Sequence, residues 1–292
     1  MNKSFDSIIL EQKRKDKTED QLFMENHYKE LLQHCFLFAL SKVDFFSHAA
    51  FHGGTCLRII DNIDRFSEDL DFIQTSSNTT TKNLADLMDE AVVYLKKMGL
   101  ELEITHNNIN NNVQKIWIKE GNLVKRFLDN NPKFVIQGAK SKIKIEIDND
   151  PPDGSILSEV SLKFPEEFKI TIQDHSSSFS GKLHAVLCRN FLMGETTYIK
   201  GRDYFDLDWY LTNGVQPNYT LLKNALFKAG PFENQELQID NNWLKNELKN
   251  KLKDLDWNLA KSDMSNFLLE RSLDDLDIVF NSGSMIQKTE TL

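Results

Sequence analysis

The sequence is poor in the residues that mark disulfide-bonded, fibrous and membrane-spanning proteins. Its 292 residues include 3 cysteines, 12 glycines and 6 prolines. An odd number of widely separated cysteines indicates reduced, buried thiols in a cytoplasmic protein, not a disulfide framework or a zinc site. The low glycine and proline content excludes collagen-like and linker-like chains. No apolar run approaches the ~20 residues of a membrane span, and the N-terminal segment lacks the apolar core of a signal peptide, so we expect no membrane partner.

Positive charge is also scarce. The chain has 35 lysines and arginines against 44 aspartates and glutamates, a net charge of −9. Such a chain is a poor general binder of nucleic acid, which leaves only local basic patches for that purpose. Apolar residues make up 40% of the sequence and include 20 phenylalanines, enough for a sizeable core.

Hydrophobic periodicity divides the chain into a mixed part and a helical part. Helical spacing predicts helices over 18–47 and 82–98. Alternation predicts strands over 67–74, 100–107, 113–120, 140–148 and 168–173. We expect 100–107 and 113–120 to form an antiparallel pair. Later segments are helical, over 181–193, 202–212, 219–229, 235–253 and 263–280. The sequence therefore predicts an α+β domain over 1–177 and a helical domain over 178–292 that ends in a frayed tail.

The strongest chemical signal is a glycine turn followed by two aspartates. Gly53 and Gly54 allow close approach to the backbone, and Thr55 is placed to cap a following helix whose N-terminus suits a phosphate. Asp69 and Asp71 alternate on a strand, which puts them on one face roughly 6–7 Å apart. Mg²⁺ held by carboxylates and substrate phosphates would offset their repulsion. The same alternation also describes an ordinary solvated strand face.

Further polar residues are candidates for the same chemistry. Glu146 and Asp148 share a strand face, and either would supply the third carboxylate of a metal site, although a charged face of cross-strand pairs explains them equally well. Arg202, Asp203 and Asp206 begin a predicted helix, where caps and surface pairs are the simpler reading. Position alone does not distinguish Lys182 from a solvated lysine at the start of a helix.

Four stretches of sequence resemble one known family. Residues 53–58 (GGTCLR) and 64–72 (DRFSEDLDF) look like the opening motif of the AbiEii/AbiGii toxin family, and 182–189 (KLHAVLCR) and 200–207 (KGRDYFDL) match it in the same order. These proteins are nucleotidyltransferases of the polymerase-β-like superfamily, often the toxin half of a toxin–antitoxin or abortive-infection pair. The resemblance implies a mixed sheet with flanking helices and a C-terminal helical domain.

The resemblance also implies functions for particular residues. Gly53, Gly54 and Thr55 would bind the nucleotide phosphates, and Asp69 and Asp71 would bind catalytic Mg²⁺ or Mn²⁺. The set is completed by Glu146 as a nearby third acid, Lys182 on the triphosphate, Asp203 with Asp206 nearby, and Arg65, which either touches phosphate or pairs with Glu68 or Asp69.

The expected activity is metal-dependent transfer of a nucleoside monophosphate from an NTP to an acceptor hydroxyl. The 3′ end of a tRNA is a fair candidate for the acceptor, and a small antitoxin protein is an expected partner. Two other classes stay open at this point. One is a kinase-like or protein-nucleotidylating phosphotransferase that uses the same carboxylates, and the other is a non-catalytic protein that binds a nucleotide or an antitoxin.

Overall fold

The computed structural model describes residues 21–75, 83–107, 112–121, 142–189, 199–268, 276–277 and 279–292. The chain divides into two compact units, each built from more than one stretch of sequence. The first comprises Met1–Asn62, Phe66–Pro151 and Glu159–Ile172. The second comprises Ile63–Arg65, Pro152–Ser158 and Gln173–Leu292.

A seven-stranded mixed sheet forms the centre of the first unit. Its strands are β1 (Ala49–His52), β2 (Leu70–Gln74), β3 (Leu102–Asn107), β4 (Val113–Glu120), β5 (Lys142–Asp148), β6 (Leu157–Leu162) and β7 (Phe168–Gln173). Their order across the sheet is β3-β4-β5-β2-β1-β7-β6. The β2–β5 and β1–β7 pairs are parallel, and β1–β2, β3–β4 and β4–β5 are antiparallel.

In the described part of the first unit, three helices accompany this sheet: α1 (Gln21–Lys42), α2 (Gly53–Asp61) and α3 (Leu84–Lys97). Apolar residues of α1, α3 and one sheet face form a single core. Ile143, Ile145 and Ile147 of β5 are fully buried in it. Because side chains alternate along a strand, Lys144 and Glu146 lie on the opposite face. The hydrophobic pattern thereby determines which face of the sheet carries the polar residues.

The second unit is helical. Its helices are α4 (His175–Cys188), α5 (Gly201–Thr212), α6 (Tyr219–Lys228), α7 (Asn241–Lys253), α8 (Trp257–Met264) and α9 (Ser282–Lys288). Five of them begin with an Asp or Asn whose side chain accepts a backbone N–H of the first turn: Asp174, Asn218, Asp240, Asp256 and Asn281. Such caps satisfy donors that the helix itself leaves open.

The structure confirms the α+β prediction and most predicted elements of the first unit. β4 and β7 have the predicted bounds, and β3 pairs with β4 antiparallel as expected. The three cysteines are buried and free. Among the described residues, no helix combines the length and apolarity needed to cross a membrane.

Two predictions about the later part of the chain were wrong, and one strand was not predicted. β6 was not predicted, because its exposed residues show no clear alternation. The helix predicted over 181–193 begins earlier: α4 begins at His175, and Ser177 and Ser180 are fully buried within it. The tail is not frayed, since α9 covers Ser282–Lys288 and Met285 is fully buried. Hydrogen bonds of serine and asparagine side chains help to stabilise these two helices, and the apolar periodicity of the sequence gives no sign of such bonds.

Candidate active site

The glycine turn lies directly against one of the two predicted metal-binding aspartates. Gly53 begins α2 with φ +81°, a conformation that disfavours side chains. A Cβ placed on Gly53 would lie 2.6 Å from Asp71 Oδ2, too close for any real contact. His52, the last residue of β1, pairs in register with Asp71 of β2. A residue larger than glycine at position 53 would therefore displace the Asp71 carboxylate.

Thr55 fixes the segment that carries the other aspartate. Its side chain is fully buried, and its Oγ1 donates a hydrogen bond to the carbonyl oxygen of Asp69. The prediction that Thr55 caps the helix was wrong, because α2 begins two residues earlier with His52 at the cap position. With the hydroxyl committed to Asp69, only the backbone of Thr55 is available to a phosphate.

Acidic side chains accumulate beside this turn. Asp69 immediately precedes β2, and Asp71 is opposite Glu146 of β5 in the parallel register. Burial, followed by the negative charge of Asp71, raises the pKa of Asp69. Like charges so close favour a cation between them. Asp148, the alternative third acid, is opposite Ile73 instead, and its Oδ1 accepts the backbone N–H of Asp150.

Lysine side chains occupy the space around Glu146. Lys144 Nζ lies 2.8 Å from Glu146 Oε1 and 3.9 Å from Asp69 Oδ2, and Lys115 Nζ lies 3.6 Å from Glu146 Oε1. Burial opposes the charge of Lys144, but the hydrogen bond to Glu146 and the charge of Asp69 outweigh it and raise its pKa. Within the described part of the chain, no three His, Cys, Asp or Glu side chains are arranged to hold a metal ion.

A second group of charges lies within the second unit, between α4 and α5. Lys182 Nζ donates to Asp203 Oδ1 and contacts Asp206 Oδ2, each at 2.8 Å. Arg65 binds both oxygens of Asp206, at 2.6 and 2.7 Å, and Arg189 donates to Asp203. The Arg65 and Asp206 side chains are 2% and 0% exposed. These contacts form one network of three cations and two carboxylates, which is buried except at Arg189, whose side chain is 37% exposed.

The ionisation of this network follows from its contacts. Burial disfavours the charged form of Asp203 and Asp206, but the adjacent cations outweigh burial and lower both pKa values. Lys182 shows the converse, since its two carboxylate partners overcome burial and raise its pKa. All three groups are thus charged at neutral pH.

Comparison with known proteins identifies the family. The family model of the nucleotidyl transferase AbiEii toxin, a type IV toxin–antitoxin system, matches residues 35–280. The chain belongs to the AbiEii family. Among curated proteins, none matches the chain.

Two solved structures share the fold. A protein described as a candidate nucleotidyltransferase from H. pylori is 19% identical, with a TM-score of 0.51, and the match covers 89% of this chain and 94% of that one. JHP933 from Helicobacter pylori is 17% identical, with a TM-score of 0.50, and the match covers 93% of each chain. The predicted fold class, a nucleotidyltransferase-type mixed sheet followed by helices, is confirmed.

The AbiEii motifs fall into two groups in the structure. The stretches around the glycine turn and the aspartate pair meet at β1, α2 and β2 of the first unit. Lys182, Asp203 and Asp206 meet in the second unit. Arg202, the third candidate at the start of α5, lies with its guanidinium 3.8 Å from the centre of the Phe267 ring.

Sequence reasoning missed two partners. Arg65 was expected on phosphate, Glu68 or Asp69, yet it binds Asp206, which lies 141 residues further along the chain. Local spacing carries no signal for so distant a contact. Lys144 was not considered as a neighbour of Asp69. The signal was available, because Lys144 alternates with Ile145 and so shares the face of Glu146.

Proposed function

We propose that this AbiEii protein transfers a nucleoside monophosphate from an NTP to an acceptor hydroxyl, in a reaction that requires Mg²⁺ or Mn²⁺. The observation that carries the proposal is the placement of the Asp71 carboxylate against the Gly53 turn, with Asp69 beside it. Carboxylates, an accessible backbone and a helix N-terminus are there combined within one unit. That combination suits a metal-bound triphosphate.

The acidic pair fits a hard divalent cation. Mg²⁺ is commonly bound by one or two carboxylates together with substrate phosphates, so Asp69 and Asp71 would hold it without a third protein ligand. When bound, the cation supplies charge neutralisation to the phosphates and to the developing charge of the reaction. In this proposal Glu146 is not a metal ligand: it forms an ion pair with Lys144 and adds a negative charge beside the two aspartates.

Each remaining residue of the site has a defined task in this proposal. Gly53 and Gly54 begin α2, and their backbone N–H groups donate hydrogen bonds to the phosphates. The hydroxyl of Thr55 holds the Asp69 segment in place. In the second unit, we propose that Lys182 and Asp203 are also required for transfer, because Asp203 keeps the Lys182 ammonium charged, the form of lysine that binds phosphate.

The reaction is an in-line displacement. The acceptor oxygen forms a bond to the α-phosphorus, the bond between that phosphorus and the α–β bridging oxygen breaks, pyrophosphate leaves, and the proton of the acceptor hydroxyl passes to solvent water. Catalysis consists of positioning and electrostatic stabilisation. We propose an RNA 3′ end, such as that of tRNA, as the acceptor and a small antitoxin protein as the physiological partner.

The test uses labelled nucleotides. The protein is incubated with Mg²⁺, total cell RNA and total cell protein, and with each of the four NTPs labelled at the α or the γ position. We expect α label on RNA, and none after Asp71→Asn or in EDTA. Asp89→Asn, which removes a carboxylate of α3, is the matched control and should retain activity. A γ label on protein would instead establish a kinase-like activity, and unlabelled RNA with all four NTPs would refute the proposal.

A further inference from the structure

A tryptophan ringed by lysines lies on the polar face of the sheet, two strands from the aspartate pair. Trp117 of β4 is opposite Lys144 of β5, and Lys119 is opposite Lys142. The Lys142 Nζ lies 3.4 Å from the centre of the Trp117 ring. We call this set the lysine–tryptophan face; its members are Lys115, Trp117, Lys119, Lys142 and Lys144.

We propose that the lysine–tryptophan face binds a single-stranded segment of nucleic acid, which in the proposed reaction is the acceptor strand. The inference rests on the proposed function only for that last assignment. Single-strand binding proteins combine cations that contact phosphates with aromatic rings on which bases stack. This face offers both, in a chain whose net charge is −9.

The position of these side chains follows from the strand register. Ile116 and Ile118 of β4, like the isoleucines of β5, are buried in the core. Trp117 and the lysines must therefore project from the opposite face. Lys142 is exposed, the Lys115 side chain is 44% exposed, and Trp117 is half-buried, so a ligand has access to the ring and to the ammonium groups.

Charge on the face favours a polyanion. Its four lysines share the face with three acids: Glu146 beside Lys115 and Lys144, Asp148 two residues further along β5, and Glu103 of β3 opposite Lys119. One positive charge is therefore in excess on these three strands. Lys115 and Lys119 are four residues apart, roughly 13 Å along the strand, which is long enough to contact more than one phosphate. A mononucleotide would use only part of this length.

The strand register also places the lysine–tryptophan face close to the aspartate pair. Lys115 is opposite Glu146, and Glu146 is opposite Asp71. Two strand spacings separate Lys115 from Asp71, roughly 10 Å. A strand whose bases contact Trp117 can therefore present its terminal hydroxyl to the aspartate pair within the first unit. The ammonium of Lys142, now over the ring, would move to a phosphate when a base stacks there.

Binding is tested directly, without the transfer reaction. A 12-nucleotide single-stranded RNA with a 5′ fluorophore is titrated with full-length protein, and its anisotropy gives Kd. We expect Trp117→Ala to weaken binding about 5- to 100-fold, as the loss of one base stack implies, while Trp117→Phe keeps most of the affinity. Lys119→Gln and Lys142→Gln should each reduce the salt slope by about one. Lys169→Gln, on β7 and outside the face, is the matched control. Thermal unfolding of each variant verifies folding.

Several results would overturn the inference. Equal Kd values for wild type and a folded Trp117→Ala variant would do so. Displacement of the RNA by NTP in EDTA would make this face a nucleotide subsite, and equal binding of a poly-glutamate peptide, insensitive to Trp117, would make it a surface for acidic protein. Asp71→Asn should still bind the RNA, because the carboxylate contributes only to transfer. RNA binding without transfer would thus refute the proposed function alone.

Discussion

Asp69 illustrates at the scale of one residue how a functional group costs stability. Burial and the nearby Asp71 raise its pKa, so its charged form is disfavoured in the folded protein. We predict that Asp69→Asn abolishes transfer yet stabilises the protein at pH 7 by about 0.5 kcal/mol, within the range of partly exposed charge pairs. Mg²⁺ should raise the melting temperature of the wild type and not of the variant, since only the wild type binds it. Thermal unfolding with Mg²⁺ or EDTA measures both effects, and an equal Mg²⁺ response would refute metal binding by Asp69.

A second prediction concerns Gly53, whose backbone lies against the Asp71 carboxylate. Gly53→Ala should destabilise the protein by about 1–3 kcal/mol, because an alanine is strained at this positive φ. It should also abolish transfer, since its Cβ would displace Asp71. Gly99, at φ +97° with open space where a Cβ would lie, is the matched control: Gly99→Ala has the strain without the displacement. Urea unfolding and the labelling assay are run in parallel. Full activity in Gly53→Ala would contradict the proposed site.

Asp206 is predicted to act on stability. Removing one member of a buried ion pair takes a carboxylate partner from the buried charge that remains, so Asp206→Asn should cost about 3–5 kcal/mol at pH 7. The folded protein lowers the pKa of Asp206 below its unfolded value, so its stabilisation is complete above about pH 4 and is lost as the pH falls through the folded pKa. The difference in unfolding free energy between wild type and variant should shrink accordingly.

The control for Asp206 is a surface pair of the same unit. Asp277, paired with Lys261, has a side chain that is 68% exposed, so Asp277→Asn should cost at most about 1 kcal/mol. Urea titrations at pH 7, 4 and 3 compare the two variants. If Asp206→Asn unfolds like Asp277→Asn at pH 7, the buried network does not stabilise the second unit.

Among the elements, helix packing explains the glycine of the GRD motif. A Cβ on Gly201, at the start of α5, would lie 1.9 Å from the carbonyl oxygen of Ala260 in α8. Backbone cannot yield as a side-chain end does, so Gly201→Ala should destabilise the second unit by about 3 kcal/mol. Gly181→Ala in α4 is the control, because nothing lies near its Cβ and a helical alanine is favoured by about 0.5–1 kcal/mol. Urea unfolding should move the two midpoints in opposite directions.

The elements also show how far sequence reasoning reaches. Alternation predicted β4 and β7 to the residue because each strand has one buried and one polar face, and this alternation is a local property. Residue type and spacing singled out the glycine turn and the aspartate pair, and the sequence resemblance then assigned them to a family. What could not be predicted depends on distant partners: Arg65 with Asp206, the buried serines of α4, and the close approach of Gly201 to α8. None of these contacts produces a periodic pattern in the sequence.

At the scale of the whole molecule, no single boundary in the sequence separates the two units, because the chain passes between them more than once. Residues 63–65 and 152–158 belong to the second unit although the first unit surrounds them in sequence. Within the second unit, Arg65 binds Asp206, and the Ile156 backbone N–H donates to Ser177 Oγ. Asn218 donates to the carbonyl oxygen of Gly154. A cut near residue 173 therefore removes two internal segments from the second unit.

We predict that fragment 173–292 alone is unstable and that co-expression with fragment 1–172 rescues it, because only 1–172 supplies Arg65 and the 152–158 segment. The fragments should co-purify through a tag on either one. Arg65→Met in fragment 1–172 should weaken this association, since it leaves the Asp206 carboxylate with one cation fewer in a site where it is fully buried. Lys169→Gln, an exposed change in the same fragment, should leave the yield unchanged. If 173–292 by itself shows a cooperative thermal transition and the helix content of α4 to α9, the two segments are dispensable for the second unit.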